Sequence, residues 1–303
     1  MENASPSLAH KKTQHRVIDG TLYGRHTEPY AFDIRVHSLG HGHTEATVLP
    51  RYGWAELGSL SPSALADYEA STGHIFVNGE WLPHTPTHQE LQDKLACNRE
   101  RSSRRAKTKV RRLCKAKGLT TLLTLTYQEN VTDRSRMARD FDVFVKRVKR
   151  VVSDFEYVCV FERQKRGAWH AHIAVPRILS HYQHKGALVR SYDLLRSMWR
   201  GVIGAGGNID VSRSKRVGRS SAKLAAYMSK YITKGFDGGD GDGDSYRASG
   251  RALDAAIVVR GAPKLWEAFM ELMDLLSPEI AGEAHFHHAL LDCGGCFVSI
   301  SPK

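Results

Sequence analysis

Phe155-Glu156-Tyr157-Val158-Cys159-Val160-Phe161-Glu162-Arg163-Gln164-Lys165-Arg166-Gly167-Ala168-Trp169-His170-Ala171-His172-Ile173-Ala174-Val175 is the stretch on which the rest of the chain turns. Phe155, Tyr157, Cys159 and Phe161 share one parity, and Glu162 falls on the other with Val158 and Val160, the period of two of a strand. Trp169 to Val175 is strand-like as well. Lys165-Arg166-Gly167 reads as a three-residue hairpin loop with glycine third, where such loops need a left-handed backbone. That register pairs Gln164 with Ala168 and Glu162 with His170. It sets His172 diagonal to Glu162 on the same face, so one carboxylate and two imidazoles lie within reach of a single cation.

A His-x-His pair is weak by itself, because sixteen histidines in 303 residues give about one by chance. The chain has three such pairs. His41-Gly42-His43 lies among glycines and His285-Phe286-His287 near the last residues. His170 and His172 alone sit in an apolar strand facing a carboxylate of matching parity.

A helix is predicted from about Ser220 to Lys234, opened by serines and closed by Gly235. Tyr227 and Tyr231 are four apart and so share a face. Each is followed three residues later by a lysine, Lys230 and Lys234. A phenol ordinarily titrates near about 10, so a nucleophilic tyrosine benefits from a nearby cation and from a metal that polarises its target. Taken alone, Leu224, Tyr227 and Tyr231 are the core stripe of an amphipathic helix.

The order of Leu123-Thr124-Leu125-Thr126-Tyr127, then Glu162 with His170-Ala171-His172, then the doubled Tyr-x-x-Lys, resembles the three motifs of the HUH endonucleases. More narrowly it resembles the two-tyrosine rolling-circle replication initiators of plasmids and small phages. The resemblance covers roughly residues 119–251. It implies Glu162, His170 and His172 as ligands of Mg²⁺ or Mn²⁺, and Tyr227 and Tyr231 as nucleophiles, with Lys230 and Lys234 neutralising charge at the attacked phosphate. It implies a ferredoxin- or RRM-like α+β core whose central strand carries the histidine pair. The reaction implied is transesterification on single-stranded DNA or an origin hairpin, leaving a 5′-phosphotyrosine, with host helicase and polymerase as partners. Ala171 between the histidines is small for the pattern.

The net charge of +12, from 44 Lys and Arg against 32 Asp and Glu, points to a polyanionic partner, nucleic acid before membrane. Five cysteines, scattered and odd in number, do not form a disulfide framework. The first residues lack a signal-peptide pattern and no apolar run approaches a membrane span, so a reducing cytoplasmic setting is expected.

Gln89 to Lys117 reads as a helix ended by Gly118. From Arg99 to Lys117 ten of nineteen residues are basic, and one-signed density of that kind repels itself until phosphates neutralise it. Arg104, Arg105, Lys107, Lys109, Arg111 and Arg112 are the expected backbone contacts with DNA, carrying no sequence readout. Thr132 or Asp133 should cap a helix whose Met137, Phe141, Phe144, Val145 and Val148 form one apolar stripe. Another helix is expected over 190–200, with Leu188, Tyr192, Leu195 and Trp199 on one side and Gly201 as its stop. Residues 208–211 read as a strand, 264–276 as a helix, and 237–244 as an acidic flexible linker. Residues 1–95 read as a small β-rich accessory region with an Asn78-Gly79 hairpin. Residues 96–260 read as the endonuclease domain and 261–303 as a helix and tail.

The strand and helix order β, α, β, β, α, β, α suggests one antiparallel sheet with helices on a face, an α+β sandwich. Gly204 to Gly207 lacks the Lys-Ser/Thr of a nucleotide-binding loop, and none occurs elsewhere, which excludes an ATPase or helicase. A calcium loop from Asp240 fails at Ser245 and Arg251. Cys293-x-x-Cys296 with His285 and His287 is only loosely zinc-like. Two alternatives stand beside the nicking enzyme: a two-histidine, one-carboxylate iron or cupin-type enzyme, and a non-catalytic DNA-binding regulator.

Overall fold

Two antiparallel sheets with separate cores account for most of the molecule. The computed structural model describes residues 15–71, 74–77, 80–83, 87–204, 206–212, 220–237, 246–250, 252–280 and 283–303. Along them the order is β1 (His15–Ile18), β2 (Thr21–Gly40), β3 (His43–Ser59), α1 (Pro62–Ser71), β4 (His74–Val77), β5 (Glu80–Pro83), α2 (His88–Ala116), β6 (Thr121–Thr126), α3 (Arg134–Lys149), β7 (Val158–Arg163), β8 (Trp169–Val175), β9 (His181–His184), β10 (Ala187–Arg190), α4 (Ser191–Ile203), β11 (Asn208–Ser212), α5 (Ser221–Asp237), β12 (Tyr246–Ala248), β13 (Ile257–Arg260), α6 (Leu265–Ile280), β14 (Ala284–Leu291) and β15 (Gly295–Pro302). The class is α+β, as expected.

The central sheet runs β11-β6-β8-β7-β12, so the histidine strand is its middle member. Glu162 pairs with His170 and Val160 with His172, the register read from the sequence. Gln164 N–H donates to Ala168 O and Gly167 N–H to Gln164 O, while Gly167 takes φ 88°, which an L side chain rarely adopts. Alternation then sorts the side chains onto two faces. Cys159, Phe161, Trp169, Ala171 and Ile173 pack with Met137, Phe141, Phe144, Val145 and Val148 of α3 and with Leu195 and Trp199 of α4. Val158, Val160 and Ala174 pack on the other face with Val110, Leu113 and Cys114 of α2 and Leu224, Ala225, Met228 and Ile232 of α5. Helices therefore cover both faces where one was expected, because every residue of β8 is buried and neither of its faces can be left in water.

Helix ends follow capping chemistry. The Asp133 side chain accepts from Ser135 N–H at 2.8 Å and opens α3. Two expected stops are corrected. α4 runs past Gly201 and ends at Gly204, which adopts φ 77°, and α5 continues through Gly235 to Asp237. Glycine ends a helix only where the chain must turn left-handed. Leu188 belongs to the exposed hairpin β9–β10 rather than to α4. Gly118 does close α2, with φ 56°.

The second sheet, β1-β2-β3-β15-β14 with β13 on β2, unites segments expected in separate regions of the chain. β15 pairs with β3 in the register Val298↔Ala46, and Phe32, Ile34, Val48, Val298 and Ile300 pack beneath Ala268, Leu272 and Leu276 of α6. β4 and β5 pair as a hairpin, Val77 opposite Glu80; the Asn78-Gly79 turn and residues 238–245 of the acidic linker lie outside the described residues. Among the described residues, no helix is long and apolar enough to cross a membrane.

Candidate active site

Glu162, His170 and His172 all point to the face covered by α2 and α5, and all three are buried. His172 Nε2 lies 2.7 Å from Glu162 Oε2, and its Nδ1 lies 3.3 Å from Thr124 Oγ1 on the neighbouring strand. His170 instead directs Nδ1 to the side-chain amide of Gln164 at 3.1 Å. Burial first, then the charges of His172 and Arg166, lowers the His170 pKa, which keeps a ring lone pair available at neutral pH. Among the described residues, no three Asp, Glu, His or Cys side chains gather around one point. The expected triad is thus delivered by the backbone register, while its side chains form a Glu162–His172 pair with His170 beside it. One carboxylate and two imidazoles on adjacent strands fit a divalent cation by donor chemistry and by register. The Cys293/Cys296 tail gathers no such set: Cys296 is buried and Cys293 exposed.

The tyrosine helix lies against this pair. Leu224, Ala225, Met228 and Ile232 anchor α5 between the sheet and α2, which leaves Tyr227 and Tyr231 half-buried on its flank. The Tyr231 ring stacks on the His172 imidazole, with centroids 3.8 Å apart and planes at 15°. Its hydroxyl donates to the Tyr227 oxygen, and the two rings meet edge to face at 5.0 Å. Ser220 marks the start of α5, its Oγ accepting from Lys223 N–H at 3.4 Å. Lys230 is exposed on α5, and the Lys234 side chain lies outside the described residues. Tyr127, the last residue of the first motif, is core: its hydroxyl donates to Asp140 at 2.7 Å, and burial, then Asp140, raises its pKa.

The basic helix divides into two parts. Arg104, Arg105 and Lys109 are exposed and Lys107 is half-buried; Arg104 pairs with Glu100 at 2.5 Å. Arg111 and Arg112 face inward. Arg111 donates through Nε and Nη2 to Glu45 at 2.9 Å each, Arg112 Nε donates to it at 3.0 Å, and Lys115 Nζ donates to it at 2.9 Å and to Ser299 at 3.0 Å. Burial pushes the Glu45 carboxyl up, but the hydrogen bonds and charges of Arg111 and Lys115 overcome it and hold the pKa at about 2.

Glu45 and His43 carry structure in the region whose function the sequence left unread. His43 Nε2 lies 2.6 Å from Ser221 Oγ at the start of α5, and Nδ1 lies 3.0 Å from Ser301 Oγ. Burial, then Lys115, holds its pKa at about 4. Nothing local marks either residue, since their partners are far away in sequence.

No curated protein and no solved structure matches the chain. A family model described as Replication-associated protein, of the ORF2 class, matches residues 120–236, from β6 to near the end of α5. Under half of the chain is covered, but that part contains Glu162, both histidines and both tyrosines, and it makes the central sheet with its tyrosine helix similar to the replication-associated proteins of that family, which supports a replication-initiator family.

Proposed function

We propose that the protein is a rolling-circle replication initiator of the two-tyrosine HUH type, which cuts and rejoins single-stranded DNA. The observation that carries this is the stacking of Tyr231 on His172, an imidazole already bound to Glu162, inside the segment similar to replication-associated proteins. A phenol and a ligand-type imidazole in face contact have no need of each other in an ordinary core.

In this reading a tyrosine oxygen attacks the scissile phosphorus and the bond from phosphorus to the 3′ oxygen breaks. The phenol proton leaves to solvent and the departing oxygen takes one up, so the products are a 5′-phosphotyrosine and a free 3′-hydroxyl. Because one phosphodiester replaces another, the step reverses without nucleotide hydrolysis. Glu162, His170 and His172 would hold Mg²⁺ or Mn²⁺, which when bound supplies positive charge to polarise the phosphate. Tyr231 donates to the Tyr227 oxygen, so an anion developing on Tyr227 has its hydrogen bond in place. The second phenol permits a second cut while the first is still esterified. The 3′-hydroxyl would prime a host polymerase, and strand separation would fall to a host helicase. Arg104, Arg105 and Lys109, exposed on α2, supply phosphate contacts.

The test is incubation of labelled single-stranded oligonucleotides with the protein and Mn²⁺, followed by a denaturing gel. A covalent adduct is expected with the unaltered chain and none with the Tyr227→Phe/Tyr231→Phe variant. Cutting that survives the double substitution would overturn the reading.

A further inference from the structure

The face of the central sheet that carries the histidines is covered unevenly. α5 packs mainly over β7, and α2 reaches β7 and β12. Over β11 and the far half of β6 the same face is open: Asp210 is exposed, and Thr124, Thr126 and Ser212 are partly so. On the reverse side of β11, Ile209 is buried and Val211 packs against the core, so the alternation of this strand delivers Asp210 to the open side. The register makes one continuous row across the strands, Asp210 opposite Thr124 and Thr124 opposite His172. Thr124 Oγ1 is already 3.3 Å from that imidazole. Asp210 therefore stands two strand spacings from His172, roughly 10 Å.

We propose that this strip is where nucleotides flanking the scissile phosphate lie, bases against the sheet, and that Asp210 selects a base with an exocyclic amine at one position. The proposal rests on the cutting of single-stranded DNA argued above. A carboxylate on the path of a polyanion is repelled by phosphate, which excludes a backbone contact for Asp210 when the strand lies over it. An acceptor-only group finds its complement on base edges that donate, cytosine N4 most directly, and has none on the O4 edge of thymine. The occupant is single-stranded DNA because the strip continues, in register, from the Glu162–His172–Tyr231 cluster, and because the chain carries a net +12. The rival role of Asp210 is to keep an edge strand solvated, which has no consequence for base choice.

The experiment is a binding selection from randomised single-stranded oligonucleotides with the Tyr227→Phe/Tyr231→Phe protein, with and without Asp210→Asn. In parallel, the unaltered chain and its Asp210→Asn variant are given the same pool with Mn²⁺ and the adduct ends are sequenced. Thymine is expected to be depleted roughly tenfold at one position, the depletion vanishing in Asp210→Asn because an amide can also donate. In the adducts that position should keep a fixed distance from the cut. Identical base profiles with aspartate and asparagine overturn the proposal, whether or not adducts form. Adducts with an unchanged profile leave the cutting intact and remove Asp210 from recognition; a changed binding profile without adducts keeps the base contact and removes the cutting.

Discussion

Glu162 and Glu45 are both buried carboxylates on the two sides of the α2–α5 layer, and their surroundings differ in kind. Glu45 has no exposed surface and three cations, Arg111, Arg112 and Lys115, within 3.0 Å. Glu162 has one imidazole at 2.7 Å, with a tyrosine stacked on that ring. The first arrangement satisfies every lone pair with fixed charge and ties α2 to the second sheet. The second uses a ligand-type group that can exchange one partner for another. A buried charge saturated by its own chain serves the fold, and one held by a neutral-capable partner is available for chemistry.

This distinction fails if removing either carboxylate has the same effect. Glu45→Ala leaves a buried lysine and two half-buried arginines without an anion, and should lower stability to urea by about 3–5 kcal/mol. Glu162→Ala should cost about 1–2 kcal/mol in the same measurement while reducing adduct formation on the order of a hundredfold.

Acid separates the two surroundings further. His43 has its folded pKa lowered to about 4 from 6.5, so its contribution is complete above 6.5 and is lost as pH falls towards 4. Glu45, lowered to about 2 from 4.5, contributes fully above 4.5 and loses that contribution as pH falls towards 2. Unfolding followed against pH should show both windows, and His43→Ala should erase the upper one. At neutral pH, His43→Ala should cost about 1–3 kcal/mol through its unpaired serine hydroxyls.

The smallest effect on stability is expected on α2. Arg105→Ala/Lys109→Ala should change unfolding by no more than about 0.5 kcal/mol while lowering the salt dependence of DNA binding by about two phosphate contacts. Arg112→Ala, on the same helix, should do the reverse, because its guanidinium lies on Glu45 and 2.8 Å from His37.

Much of the site was legible in advance. The alternation from Phe155 to Val175, the Gly167 loop and the four-residue spacing of the tyrosines are local, and each appears in the structure as read. The division of the basic helix was not legible, since Arg105 and Arg111 belong to one charge run and differ only in what lies opposite them.

Local pattern was enough to set the elements around the site and the parity of Glu162, His170 and His172. Backbone geometry repeats every two or 3.6 residues, so such facts are written within a few positions. Three-dimensional packing was needed to place α5 on the histidine face, to close Arg111 and Arg112 on Glu45, and to bring His43 to Ser301 across 258 positions. Those contacts depend on how whole faces pack, and burying one face selects partners that no local pattern names.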